Sequence, residues 1–62
     1  MMDLSKYLEK YVKIDLSNGY FYEGLVLGYD SDFLMLRDKF GKNVTISIKS
    51  IIIIREEKDG GR

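Results

Sequence analysis

The sequence predicts a mainly β domain: a short N-terminal helix, then five antiparallel strands forming a small, strongly bent, partly open barrel. Three observations carry that expectation. Apolar and polar residues alternate through most of Val12 to Asp38, the dipeptide Asn18-Gly19 interrupts the alternation, and glycines stand at 19, 24 and 28. Alternation with a period of two is the pattern of a half-buried strand. Asn-Gly between two such runs is a strong hairpin signal, and the favoured two-residue turn needs positive φ at both central positions. Glycine inside a strand marks a bulge, a bend or a close approach of backbones.

The elements follow in order. Asp3 is a candidate N-cap, and Leu4, Tyr7, Leu8 and Tyr11 at i, i+3, i+4 and i+7 form one apolar stripe, predicting a helix over about 3–11. A helix so short is marginal alone, so the stripe must dock on the sheet. Strands are predicted at about 12–17, 20–29, 32–37, 43–48 and 51–55. The first turns Val12, Ile14 and Leu16 inward. In the second, Tyr22, Gly24, Val26 and Gly28 share one face, and Phe21, Leu25, Leu27 and Tyr29 the other, so both faces call for some cover. Asp30-Ser31-Asp32 is a turn, and Asp38 to Asn43 a polar hairpin loop containing Gly41. Val44, Ile46 and Ile48 alternate with Thr45, Ser47 and Lys49. The run Ile51-Ile52-Ile53-Ile54 is apolar on both faces, which predicts burial on both. The stretch 56–62, charged and glycine-rich, is expected to be a disordered tail.

Composition narrows the function. A chain of 62 residues is one small domain, and one of this size buries only about 60% of the surface its unfolded chain exposes. Small domains compensate with disulfides, metals or oligomerisation. The chain has no Cys and no His, which removes disulfides and the common zinc ligands and leaves oligomerisation. The same absences weigh against an enzyme, because nucleophile–base pairs usually draw on those residues. Asp30-Ser31-Asp32 lacks the glycine and closing Glu of a calcium loop, so no metal or other cofactor is expected. The net charge of zero offers no broad basic surface for nucleic acid. No segment has the length of a membrane span and no signal-peptide pattern opens the chain, so a cytoplasmic protein without membrane contact is expected.

With its helix, five strands and glycine block, the sequence resembles the Sm-like family: the Sm and LSm proteins and the bacterial RNA chaperone Hfq. The residues that carry the resemblance are Val12, Ile14, Leu16, Asn18-Gly19, Tyr22, Gly24, Val26, Tyr29-Asp30 and Phe33-Leu34-Met35-Leu36, and it spans about 3–55. The short connection before Val44 is similar to the compact Hfq-type loop. The resemblance implies an SH3-like barrel (the Sm fold) and a ring of six or seven subunits, in which the fourth strand of one subunit pairs with the fifth of the next. Val44, Ile46, Ile51, Ile52, Ile53 and Ile54 are then the interface residues. This agrees with the separate need to cover the isoleucine run, since an exposed apolar strand edge is an aggregation hazard.

The family also implies a site for uracil-rich RNA at the inner rim, built from two loops. Asp30 shapes the first loop; its stacking and base-contacting positions fall on Asp32 and Leu34. Stacking needs a π face or a guanidinium plane, and Asp32 has neither. The second loop, which presents Arg-Gly in Sm proteins and Lys-His in Hfq, aligns with Ile46-Ser47-Ile48-Lys49, leaving Ser47 and Lys49 as polar carriers. On the opposite face, where Hfq-like rings take A-rich RNA, the aligned positions are Asp15, Gly19, Tyr20 and Tyr22; the Tyr20 ring either stacks a base or forms a cross-strand aromatic pair beside the hairpin turn, and Tyr22 faces the core. The expected function is a ring that binds single-stranded RNA with weak or altered base preference. The alternative is a structural or protein-interaction ring that has lost RNA binding.

Overall fold

The structure is a computed structural model that describes residues 3–57. Its five strands are β1 (Tyr11–Leu16), β2 (Phe21–Tyr29), β3 (Phe33–Asp38), β4 (Asn43–Ser47) and β5 (Ile51–Glu56). They form one antiparallel sheet in the order β4-β3-β2-β1-β5. A flat five-stranded sheet would hold its outer strands about 19 Å apart. The link from Ser47 to Ile51 is a single 3-10 turn, Ile48–Ser50, and four residue steps reach at most about 14 Å. The sheet is therefore curled, and this turn crosses between its two margins. Its ends are tied down by Ile48 N–H donating to the Asp32 carbonyl at 2.9 Å and Ser17 N–H donating to the Ser50 carbonyl at 2.9 Å. Among the described residues β4 and β5 do not pair with each other, so the sheet stays open between them.

The concave face holds the core: Leu4, Val12, Ile14, Val26, Leu34, Leu36, Ile46 and Ile51 are buried, with Tyr7, Leu16, Tyr22, Val44, Ile48 and Ile54 packed around them. These inward positions follow the alternation in β1, the first part of β2, β3 and β4. No buried side-chain polar atom lacks a partner among the described residues. The convex face is open in the single chain, where Phe21, Leu25 and Leu27 are exposed, though Leu25 and Leu27 are also partly covered.

Two bends depart from simple alternation. In β2 the register steps from Val26↔Leu36 to Gly28↔Met35, leaving Leu27 as the extra residue of a bulge. Beyond it the parity reverses: Gly28 joins the face of Met35 and Tyr29 the face of Leu34, the opposite of the expected assignment. In β5 the register steps from Asp15↔Ile53 to Leu16↔Ile51, with Ile52 as the extra residue.

The hairpins also differ from expectation. Leu16 N–H donates to Tyr20 carbonyl and Gly19 N–H to Leu16 carbonyl, at 2.9 and 3.0 Å. Gly19 has φ +91°, and Asn18 does not share its positive φ. This is a three-residue loop ending in a left-handed glycine, the alternative to the two-residue turn. The β3–β4 loop repeats it, with Asp38 N–H donating to Lys42 carbonyl at 2.8 Å and Gly41 at φ +84°.

The predicted N-terminal helix over 3–11 is only a 3-10 turn, Ser5–Tyr7. Glu9 takes a left-handed φ of +64°, its N–H donates to the Val26 carbonyl, and the Lys10 carbonyl accepts from Val26 N–H, both at 3.0 Å. Pairing with β2 thus claims the backbone groups that a second helical turn would need. Leu4 and Tyr7 still reach the core, but Leu8 is exposed. Asp3 Oδ1 accepts from the N–H and hydroxyl of Ser5 at 3.0 and 2.7 Å, an Asx-type contact and not a helix cap. At the other end Glu56 belongs to β5 and Glu57 N–H donates to the Tyr11 carbonyl at 2.8 Å. The rest of the predicted disordered tail, 58–62, lies outside the described residues.

Candidate nucleic-acid interface

The loop after β2 is organised by one carboxylate. Asp30 Oδ1 accepts from the backbone N–H groups of Asp32 and Phe33, both at 2.8 Å, and Asp30 N–H donates to the Phe33 carbonyl at 2.9 Å. The N–H of Asp32, and after it that of Phe33, holds the Asp30 carboxyl below its ordinary range, as hydrogen bonds to the charged form do. Asp30 therefore builds the loop, as the sequence suggested, and two of its acceptor positions are committed to that task.

The loop is then joined to the β4–β5 crossing. Phe33 pairs with Ser47 in the β3–β4 ladder, and the Asp32 carbonyl holds Ile48 N–H. These two links gather Ser31, Asp32, Phe33, Ser47, Ile48 and Lys49 around a cleft of about 300 Å³. Three of the residues singled out in the sequence, Asp32, Ser47 and Lys49, thus line one cleft. Asp32 and Lys49 are exposed and Ser47 half-buried, so one carboxylate and one ammonium share the opening.

Leu34 does not belong there. It is fully buried in the core opposite Ile46, so its side chain points away from any ligand at the loop. Its neighbour Phe33 takes the outward place: the residue is 45% exposed and lines the cleft. Sequence reasoning missed this residue. The signal was the alternation itself, because placing Leu34 and Leu36 in the core sends Phe33 outward. The cleft thereby gains the aromatic face that Asp32 lacks.

Tyr20 is exposed on the β1–β2 hairpin, its N–H bonded to Asn18 Oδ1 at 3.0 Å, and it does not line this cleft. Tyr22 packs against the core and Asp15 is half-buried in β1. Among the described residues no group of three or more His, Cys, Asp or Glu is placed to hold a metal ion, and no helix is long and apolar enough to cross a membrane.

The expected interface residues divide by side chain. Ile46 and Ile51 are buried in the core of their own chain and so cannot present side chains to a neighbour; Val44 and Ile54 are partly buried against it. Ile52 and Ile53 are 62% and 48% exposed on the open margin of β5 in the single chain. The bulge at Ile52 is the cause, because it places two successive residues outside the core face.

What the geometry defines is a small, curled, five-stranded antiparallel sheet with two open margins and an aromatic–lysine cleft beside a carboxylate-built loop. No protein-family model and no curated protein matches the chain.

Proposed function

We propose that this chain is the subunit of an Sm-like ring that binds single-stranded RNA through the Phe33–Lys49 cleft, a binding role without catalysis. The observation that carries the reading is the junction of the Asp30-organised loop with the β4–β5 crossing, which brings Phe33 and Lys49 into the lining of one cleft. Stacking on an aromatic ring together with a backbone-tracking cation is the general chemistry of sequence-tolerant single-strand binding. Asp32 at the same opening opposes phosphate, which fits a weaker or altered preference.

The strand order supports assembly. It leaves β4 and β5 as the two margins of the sheet, each with one row of backbone groups outside the ladder. Pairing β4 of one copy with β5 of the next satisfies both rows and covers Ile52 and Ile53. Such pairing, repeated around an axis, closes a ring, of six or seven copies by analogy with the family. The curled sheet, with its bulge at Leu27, is similar to the bent barrel of that family.

A second reading, a ring that has exchanged RNA for a protein partner, is favoured by one specific feature: Asp30 and Asp32 stand at the loop that would face the ligand. One experiment separates the two. Solution mass and the ratio of absorbance at nucleic-acid and protein wavelengths are measured on the native protein, followed by titration with U-rich and A-rich oligonucleotides at several salt concentrations. RNA binding predicts affinity that falls with salt, with a log–log slope shallower by about 0.7 for each phosphate that Lys49→Ala no longer neutralises. Undetectable or salt-insensitive binding by an intact ring overturns the RNA reading and leaves the protein-partner one.

A further inference from the structure

We propose that a second cleft, between β2 and the β3–β4 hairpin, docks an arginine side chain of a partner peptide. The cleft measures about 320 Å³ and is lined by Phe21, Tyr22, Glu23, Asp38, Lys39 and Phe40. It shares no lining residue with the cleft at Phe33 and Lys49, and it requires neither a ring nor RNA.

Its walls are exposed aromatic rings on a fixed frame. Phe21 is 56% and Phe40 77% exposed. Phe40 sits in the three-residue hairpin loop, where Asp38 Oδ1 accepts from the N–H groups of Phe40 and Lys42, both at 2.9 Å. The turn is thus held by its own side chain, and the Phe40 ring projects from a defined backbone.

Two lysines of the chain already lie near the cleft's aromatic rings, Lys39 in its lining and Lys13 outside it. Lys13 Nζ lies 4.6 Å from the centre of the Phe21 ring. Lys39 Nζ lies 5.9 Å from that of Phe40 and 3.5 Å from Glu23 Oε1. Lys39 serves both partners poorly: tight charge-assisted bonds are about 2.7–2.9 Å, and about 6 Å is the outer reach of a cation–π contact. A guanidinium suits such a pair of partners better than an ammonium, because its planar fork bonds a carboxylate while its face stacks on a ring. Glu23 is the more sheltered member of the pair, its side chain 26% exposed against 58% for Lys39, so the carboxylate stays in place and the lysine is the group displaced. Asp38 adds a second negative charge to the wall. With Lys39 displaced, the two carboxylates outnumber the one remaining ammonium, that of Lys13, which favours a cationic ligand over a phosphate backbone.

The test is an amide-shift titration of the full chain with acetyl-Gly-Arg-Gly-amide, its citrulline counterpart, and short oligo-U and oligo-A. The arginine peptide is expected to shift Phe21, Glu23 and Phe40 saturably, and the citrulline peptide to bind about tenfold more weakly, as loss of a charged hydrogen-bond partner implies. Lys39→Met, which removes the competing cation, is expected to tighten the arginine peptide about threefold, the scale of an exposed cation–π contact. Glu23→Gln should weaken it about tenfold, and Phe40→Ala, at a highly exposed position, provides a second variant that leaves the fold intact. Equal binding of the citrulline peptide, weaker binding by Lys39→Met, or shifts at these residues with oligonucleotides alone would overturn the proposal.

Discussion

Gly24 lies directly across from Asp38 in the β2–β3 ladder, and the two backbones approach so closely that no side chain fits between them. A Cβ on Gly24 would fall 2.8 Å from Asp38 Cα and closer still to the Arg37 carbonyl oxygen. Because the obstacle is backbone, relief requires the two strands to part. Gly24→Ala is therefore expected to destabilise the fold by about 1–3 kcal/mol, the range for overpacking. Gly28 is the control: a Cβ there meets only Met35 Cε at 3.6 Å. Gly28→Ala should be neutral or stabilising by about 0.5 kcal/mol, since alanine loses less chain entropy on folding. Denaturant midpoints of the two variants check the contrast, and equal effects would sink the close-approach account.

Phe33→Ala and Lys49→Ala separate binding from stability. Both side chains are exposed at the cleft, so thermal midpoints should stay near that of the parent protein. Loss of a stacking ring costs about 1–3 kcal/mol per base, so Phe33→Ala should weaken oligonucleotide binding by about 5- to 150-fold, measured by fluorescence anisotropy. Leu34→Ala should do the reverse: its side chain is in the core, and its loss should cost about 2–5 kcal/mol of stability.

The isoleucine run supplies a similar division. Ile52→Asp and Ile53→Lys place charge on the open margin of β5 and are expected to lower the solution mass to that of a single chain, with the β-sheet circular dichroism retained. Ile51→Ala, in the core, should instead cost about 2–5 kcal/mol. Light scattering and circular dichroism on the same samples read both quantities. An assembly unmoved by both charged variants would refute edge-to-edge pairing.

Asp30 gives a pH dependence of known sign. Its folded pKa is depressed, first by the Asp32 N–H and then by that of Phe33, so its contribution is present above the unfolded carboxylate pKa and lost as pH falls through the folded value. Asp30→Asn should reduce the acid-side loss of stability, measured as the difference in denaturation midpoint between neutral and acid solution. Asp3 titrates in the same direction, through the Ser5 hydroxyl first and the Ser5 N–H second, so the comparison is made in an Asp3→Asn background. An unchanged difference would show that the loop does not depend on the Asp30 charge.

Strand number, strand sequence and most of the core were written in the local pattern. Val12, Ile14, Val26, Leu34, Leu36 and Ile46 alternate as a one-sided sheet requires, and the glycine signals at 19 and 41 mark real hairpins. The alternation also contained the outward place of Phe33. Side-chain periodicity and turn chemistry are properties of neighbouring residues, which is why these features are legible without a partner strand.

Other features were settled only by pairing between distant segments. The bulge at Leu27 reverses the faces of Gly28 and Tyr29 because β3 fixes the register on both sides of it. The apolar stripe from Leu4 to Tyr11 describes a helix, yet Val26 takes the backbone groups of Glu9 and Lys10 and reduces it to one turn. The sharing of one cleft by Phe33 and Lys49 depends on Phe33↔Ser47 pairing and on the Asp32–Ile48 hydrogen bond. By itself the sequence determined which residues prefer the inside of a small β domain. The tertiary structure decided which outward residues stand together, because register, bulges and hydrogen-bond competition are set by strands remote in the chain.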